Sequence, residues 1–127
     1  MRTTATVAQM LLRFAALIAL ILGILFWTNN ARALVPIHML LGIIIVLALW
    51  TLAFLAARAG VSIGLVALAF VWGVIVVVLG MTQTSLLPGS LHWIVQVIHL
   101  LVGLGAMGQG ETLAARIKRS QVAVPQS

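Results

Sequence analysis

Cysteine, tyrosine and aspartate are absent from the 127 residues, and glutamate occurs once, as Glu111. Without cysteine there can be no disulfide, no thiolate metal site and no Cys nucleophile. A single carboxylate side chain allows neither an acid/base carboxylate pair nor a Ser-His-Asp triad, and the chain has no phosphate-binding loop. Charged residues make up 6% of the chain, against roughly 25% in a soluble globular domain. That deficit excludes a soluble fold, and the length excludes a receptor or a full-sized transporter.

What is plentiful is apolar: 64% of the residues are hydrophobic and the mean hydropathy is +1.28. The formal charge of +6 at first suggests nucleic acid. However, its seven Lys and Arg residues are isolated at segment edges or gathered in Arg116-Ile117-Lys118-Arg119. No basic patch is interleaved with aromatics for stacking on bases. The C-terminal run reads instead as a stop signal drawn to anionic lipid.

A membrane-spanning helix needs about 20 apolar residues, and four such runs appear. The first covers about 10–28, with Arg13 snorkelling its guanidinium to the headgroups, and Asn29 and Asn30 end it. The second covers about 35–57, with Pro36 in its first turn, where the missing N–H costs nothing. Arg58, Ala59 and Gly60 close it. The uncharged stretch that follows is too long for one span. Thr82 to Ser85 and then Pro88, Gly89 and Ser90 supply the turn, dividing it into helices at about 61–81 and 91–110. The expected fold is one all-α integral membrane domain: four transmembrane helices in an up-down-up-down antiparallel bundle, with a basic tail over 111–127.

The basic residues set the orientation. With both termini cytoplasmic, the inner side holds Arg2, Arg13, Arg58, Arg116, Lys118 and Arg119, and the outer side only Arg32. Trp27 and Trp93 then fall near the outer interface, and the membrane is the cell membrane, the inner one in a prokaryote. A competing reading of the first run is a secretory signal peptide: Arg2 and Arg13, an apolar core, then Ala31-Arg32-Ala33.

Ionisable groups inside spans are costly and are functional candidates by default. Here they are His38 on the second helix and His92 and His99 on the fourth. Each of two segments carries a His with a Gly four residues on, His38-Met-Leu-Leu-Gly42 and His99-Leu-Leu-Val-Gly103. Each is followed by Leu-Ala-Ala-Arg, ending at Arg58 and Arg116, which suggests two duplicated helical hairpins. Second and fourth helices face each other diagonally in such a bundle, so two inward imidazoles can take both axial positions of one haem iron. A glycine one turn on, on the same face, leaves room for the porphyrin rim. Plain helix packing accounts for the same spacing, since small residues let membrane helices approach closely. Depth counted from Arg58 and Arg116 favours His99 as the partner of His38; counted from Glu111, it favours His92. Met39 and Met81 offer soft ligands for haem or copper.

These stretches, Pro36-Ile37-His38-Met-Leu-Leu-Gly42 and Val97-Ile98-His99-Leu-Leu-Val-Gly103, resemble small four-helix membrane cytochromes b, and more particularly one half of heme A synthase. In that family each half is a four-helix bundle with a haem-ligand His near the outer end of its second helix and another on its fourth. The resemblance implies a bis-His haem b on His38 and His99, and an eight-helix homodimer packed through the small residues of 103–110. It also has a departure. The family carries an acidic residue close before the second-helix His and often loop cysteines, where this chain has Ala33-Leu34-Val35-Pro36-Ile37.

Three functions stand at this point. The first is electron transfer through a six-coordinate haem, with a quinol, superoxide or another membrane cytochrome as partner. The second is a half-sized haem-modifying enzyme acting as a homodimer. The third is a cofactor-free membrane scaffold or assembly partner. A small drug-type exporter fits poorly, because Glu111 falls at a helix end rather than at mid-bilayer.

Overall fold

The computed structural model describes residues 1–122, and it is all-helical there: α1 (Arg2–Trp27), α2 (Val35–Arg58), α3 (Ile63–Thr82) and α4 (His92–Val122), with single 3-10 turns at Arg32–Leu34 and Gln83–Ser85. All four helices are long and apolar enough to cross a membrane.

On α1 and α3 the buried apolar residues recur every three or four positions, which makes a stripe on one face. On α1 the stripe is Ala5, Ala8, Leu12, Ala15, Ala19 and Leu22; on α3 it is Val66, Ala69, Gly73 and Val76. Alanine and glycine dominate these seams, while bulky aliphatic and aromatic side chains face outward: Phe14, Phe54, Val71 and Leu101 are each more than half exposed. A soluble protein places its large apolar residues inside. The inverse arrangement suits a lipid solvent, which gives large apolar groups no reason to hide and leaves close packing of small residues to hold helices together.

Two of the turns are closed by the same device. At the end of α1, Asn29 takes a left-handed φ of 64°, with Asn29 N–H donating to Phe26 O and Asn30 N–H to Leu25 O. At the end of α2, Gly60 does so with φ 80°, Gly60 N–H donating to Ala57 O and Val61 N–H to Ala56 O. Both are Schellman closures, which satisfy the last carbonyls of a helix. Ser62 then caps α3, its Oγ accepting from Leu65 N–H.

Contacts along the seams give the directions. Leu12 meets Gly110 and Gln9 meets Lys118, so α1 and α4 are antiparallel. The antiparallel pairs α2–α3 and α3–α4 are joined by two tryptophans. Trp50 Nε1–H donates to Phe70 O at 3.2 Å and its indole covers Gly73. Trp72 Nε1–H donates to Val102 O at 2.8 Å and its indole covers Gly105. In each case the accepting carbonyl lies three residues before the glycine. The helices α2 and α4 also share a seam across the bundle, whereas α1 and α3 have none. The bundle is therefore a flattened rhombus with α2 and α4 on its short diagonal.

Two helices outrun the expected spans. The helix α1 begins at Arg2 rather than near residue 10, and α4 continues through the expected tail to Val122. The extensions pack on one another, Ala5 and Ala8 sharing a core with Leu113, Ala114 and Ile117. Residues 123–127 of the expected tail lie outside the described residues. Arg2, Arg13, Arg58, Arg116, Lys118 and Arg119 lie toward one end of the bundle and Arg32 at the other.

Candidate functional site

His38 is the fourth residue of α2, positioned by the turn that Pro36 opens, and His99 lies two turns into α4. The diagonal contact of these helices brings the two rings to 6.1 Å between centroids, inclined at 59°. Phe26 stands edge-on to His38 at 5.4 Å.

Behind each ring is a glycine of the preceding helix. A β-carbon at Gly23 would lie 3.6 Å from His38 Cε1, and one at Gly80 3.6 Å from His99 Cε1. The two hairpins thus repeat the same contact, α1 glycine on α2 histidine and α3 glycine on α4 histidine. One turn beyond the rings, Gly42 and Gly103 are open: a β-carbon at either would meet no atom within 4 Å.

Among the described residues, three buried side-chain polar atoms lack a hydrogen-bond partner, and two of them are His38 Nδ1 and His99 Nδ1; the third is Gln109 Oε1. An unsatisfied buried polar atom costs about 1–3 kcal/mol, so two at one point call for a reason. A metal held about 2.1 Å from the nitrogen of each of two opposed imidazoles places the ring centres about 6.4 Å apart. The observed separation is a few tenths of an ångström shorter. No group of three or more His, Cys, Asp or Glu side chains gathers among the described residues, so a metal at this point would take its remaining ligands from a cofactor.

His92 stands apart, two turns and about 10 Å up the helix from His99. Its Nδ1 lies 3.0 Å from Leu86 O; because a carbonyl only accepts, Nδ1 carries the proton in that bond. This ties the start of α4 to the 83–91 loop, which contains the left-handed Leu87 and Gly89. Met39 and Met81 are exposed on the outside of the bundle.

The opposite end holds a polar cluster that sequence reading missed. Arg13 is paired within the bundle. Its Nε and Nη2 both donate to Glu111, the latter at 2.8 Å. Gln9, 8% exposed, donates to Glu111 Oε2 at 2.7 Å and accepts from Lys118 Nζ at 2.6 Å. Gln9 and Arg13 are four residues apart on one face of α1, which is the available sequence clue. Their partners, 98 to 109 positions away, give none.

The small residues of 103–110, expected at a subunit contact, are largely spent within the chain. Gly105 lies under Trp72, Gly110 against Leu12, and Ala106 is fully buried. Compared with family models, with curated proteins and with solved structures, the chain matches none.

Proposed function

We propose that the protein is a b-type haem-binding membrane protein in which His38 and His99 take the two axial positions of one haem iron. The observation that carries this reading is the meeting of two imidazoles across the short diagonal, each with a buried, unpartnered Nδ1. A β-carbon at Gly42 or Gly103 would meet no atom within 4 Å, so neither position puts a side chain in the way of a macrocycle beside the rings.

When bound, the haem supplies one-electron chemistry. The chain's own residues hold it from both faces, exclude water and leave no coordination position for a substrate, which favours electron transfer. Its partner is a quinol, superoxide or another membrane cytochrome. In the orientation set by six basic residues at one end and Arg32 at the other, both termini are cytoplasmic and the histidines lie in the outer half of the membrane. A haem-modifying reaction is the weaker reading. The only carboxylate side chain, Glu111, is at the far end of the bundle and already engaged by Arg13.

Absorption spectroscopy of protein purified after expression with ample haem decides the matter. A Soret band with sharp reduced α and β bands is expected in the wild type and in His92→Ala, and its loss in His38→Ala and in His99→Ala. A colourless wild-type protein refutes the proposal.

A further inference from the structure

At the basic end of the bundle, the turn between α2 and α3 meets the last turns of α4 in a shallow groove lined by Gly60, Ser62, Arg116, Arg119 and Ser120. Its volume of about 310 Å³ is at the small end of the range for ligand sites, ~300–1,000 Å³. We propose that this groove binds the phosphate of an anionic phospholipid headgroup.

The charges support it. Arg116 and Arg119 are three residues apart on one face of α4 and project guanidinium groups, which suit bidentate phosphate binding. The sole carboxylate side chain of the chain, Glu111, is taken by Arg13 and Gln9, so it does not neutralise either one. Across the groove is the start of α3, a helix of 20 residues. Ser62, which lines the groove, is the N-cap of that helix and so stands at the positive end of its dipole. Ser62 Oγ accepts from Leu65, so its hydroxyl proton remains free to donate.

The surroundings select a lipid over a free phosphate. Ile63, directly after Ser62, is 77% exposed, and Phe70 and Val74, seven and eleven residues on and on the same side of the helix, continue an outward apolar face along α3. A headgroup seated at Ser62 and the arginines would lay its acyl chains along that face.

The test uses the full chain in nanodiscs of mixed phosphatidylglycerol and phosphatidylcholine, with retained lipid read by native mass spectrometry after extraction. Phosphatidylglycerol should be retained selectively, and Arg116→Gln/Arg119→Gln should weaken its retention about thirtyfold, the effect of two cationic contacts. The charge-matched control Arg2→Gln/Arg58→Gln, at the same end but outside the groove, should retain it like the wild type. All four arginines are outside the buried core, and circular dichroism should show unchanged helicity. Equal loss in both double variants would mean diffuse surface charge and overturns the site. Retention of both lipids alike overturns it too. Displacement of the lipid by millimolar inorganic phosphate would make the groove a free-anion site. None of these outcomes depends on haem.

Discussion

Replacing Gly73 by Ala tests how the bundle is locked. A β-carbon there would collide with Trp50 Nε1 and fall 2.9 Å from Trp50 Cε2, so the indole must move and its hydrogen bond to Phe70 O is lost. Forcing extra volume into a packed site costs about 1–3 kcal/mol. An interhelical hydrogen bond in a membrane contributes about 0.6 kcal/mol. Alanine returns up to ~1 kcal/mol of helix propensity over glycine. The expected net loss is therefore about 1–3 kcal/mol. In a Trp50→Leu background only the propensity gain survives, so the same substitution becomes neutral or stabilising. A double-mutant cycle should then give a coupling of about 2–4 kcal/mol. The measurement is unfolding by sodium dodecyl sulfate titrated into dodecylmaltoside micelles, followed by far-UV circular dichroism. Equal costs in the two backgrounds would show that the indole does not occupy Gly73.

Gly105→Ala should behave like Gly73→Ala, because its β-carbon would lie 2.7 Å from Trp72 Cζ2; the same titration reads it. Gly42→Leu and Gly103→Leu should leave stability within about 1 kcal/mol, their positions being open, yet abolish the Soret band; retention of haem in both would show that the open space is not haem room. Arg13→Ala and Glu111→Ala should each lower the thermal midpoint, while the double variant is no worse than Glu111→Ala alone; additive losses would count against a direct pair. His92→Ala should speed amide hydrogen exchange in the 83–91 loop without changing the haem spectrum, and unchanged exchange would mean the bond to Leu86 O does not hold that loop.

The helices facing each other through short turns were the legible part. The second was expected at 35–57 and is Val35–Arg58; the third, expected at 61–81, is Ile63–Thr82. The second ends where its apolar run ends because Gly60, with its left-handed backbone, sits there, and the third starts where Ser62 caps it. The start of α1 and the end of α4 were not legible, because hydropathy marks where lipid is crossed and not where a helix stops. Beyond the apolar run, Ala5 and Ala8 still find Leu113 and Ile117 to pack on. The histidines stood out by their rarity in an uncharged chain. The glycines behind them, Gly23 and Gly80, did not, since nothing in the local sequence separates a glycine under an imidazole from one facing lipid. The same holds for Gly73 and Gly105, whose roles depend on the register between helices.

The clasp of Gln9, Arg13, Glu111 and Lys118 joins the first helix to the last. It bears on how the molecule is made. As the chain emerges from the ribosome, α1 enters the bilayer carrying an arginine and an amide whose partners have yet to be synthesised. Arg13 waits 98 residues for Glu111, and Gln9 waits 109 for Lys118. Until α4 arrives, these groups must be satisfied by water and headgroups, which keeps the start of α1 near the membrane surface. Arrival of the last helix both releases that end to pack and closes the ring of four. A chain stopped after α3 is left with Gln9 and Arg13 lacking the partners that the last helix supplies.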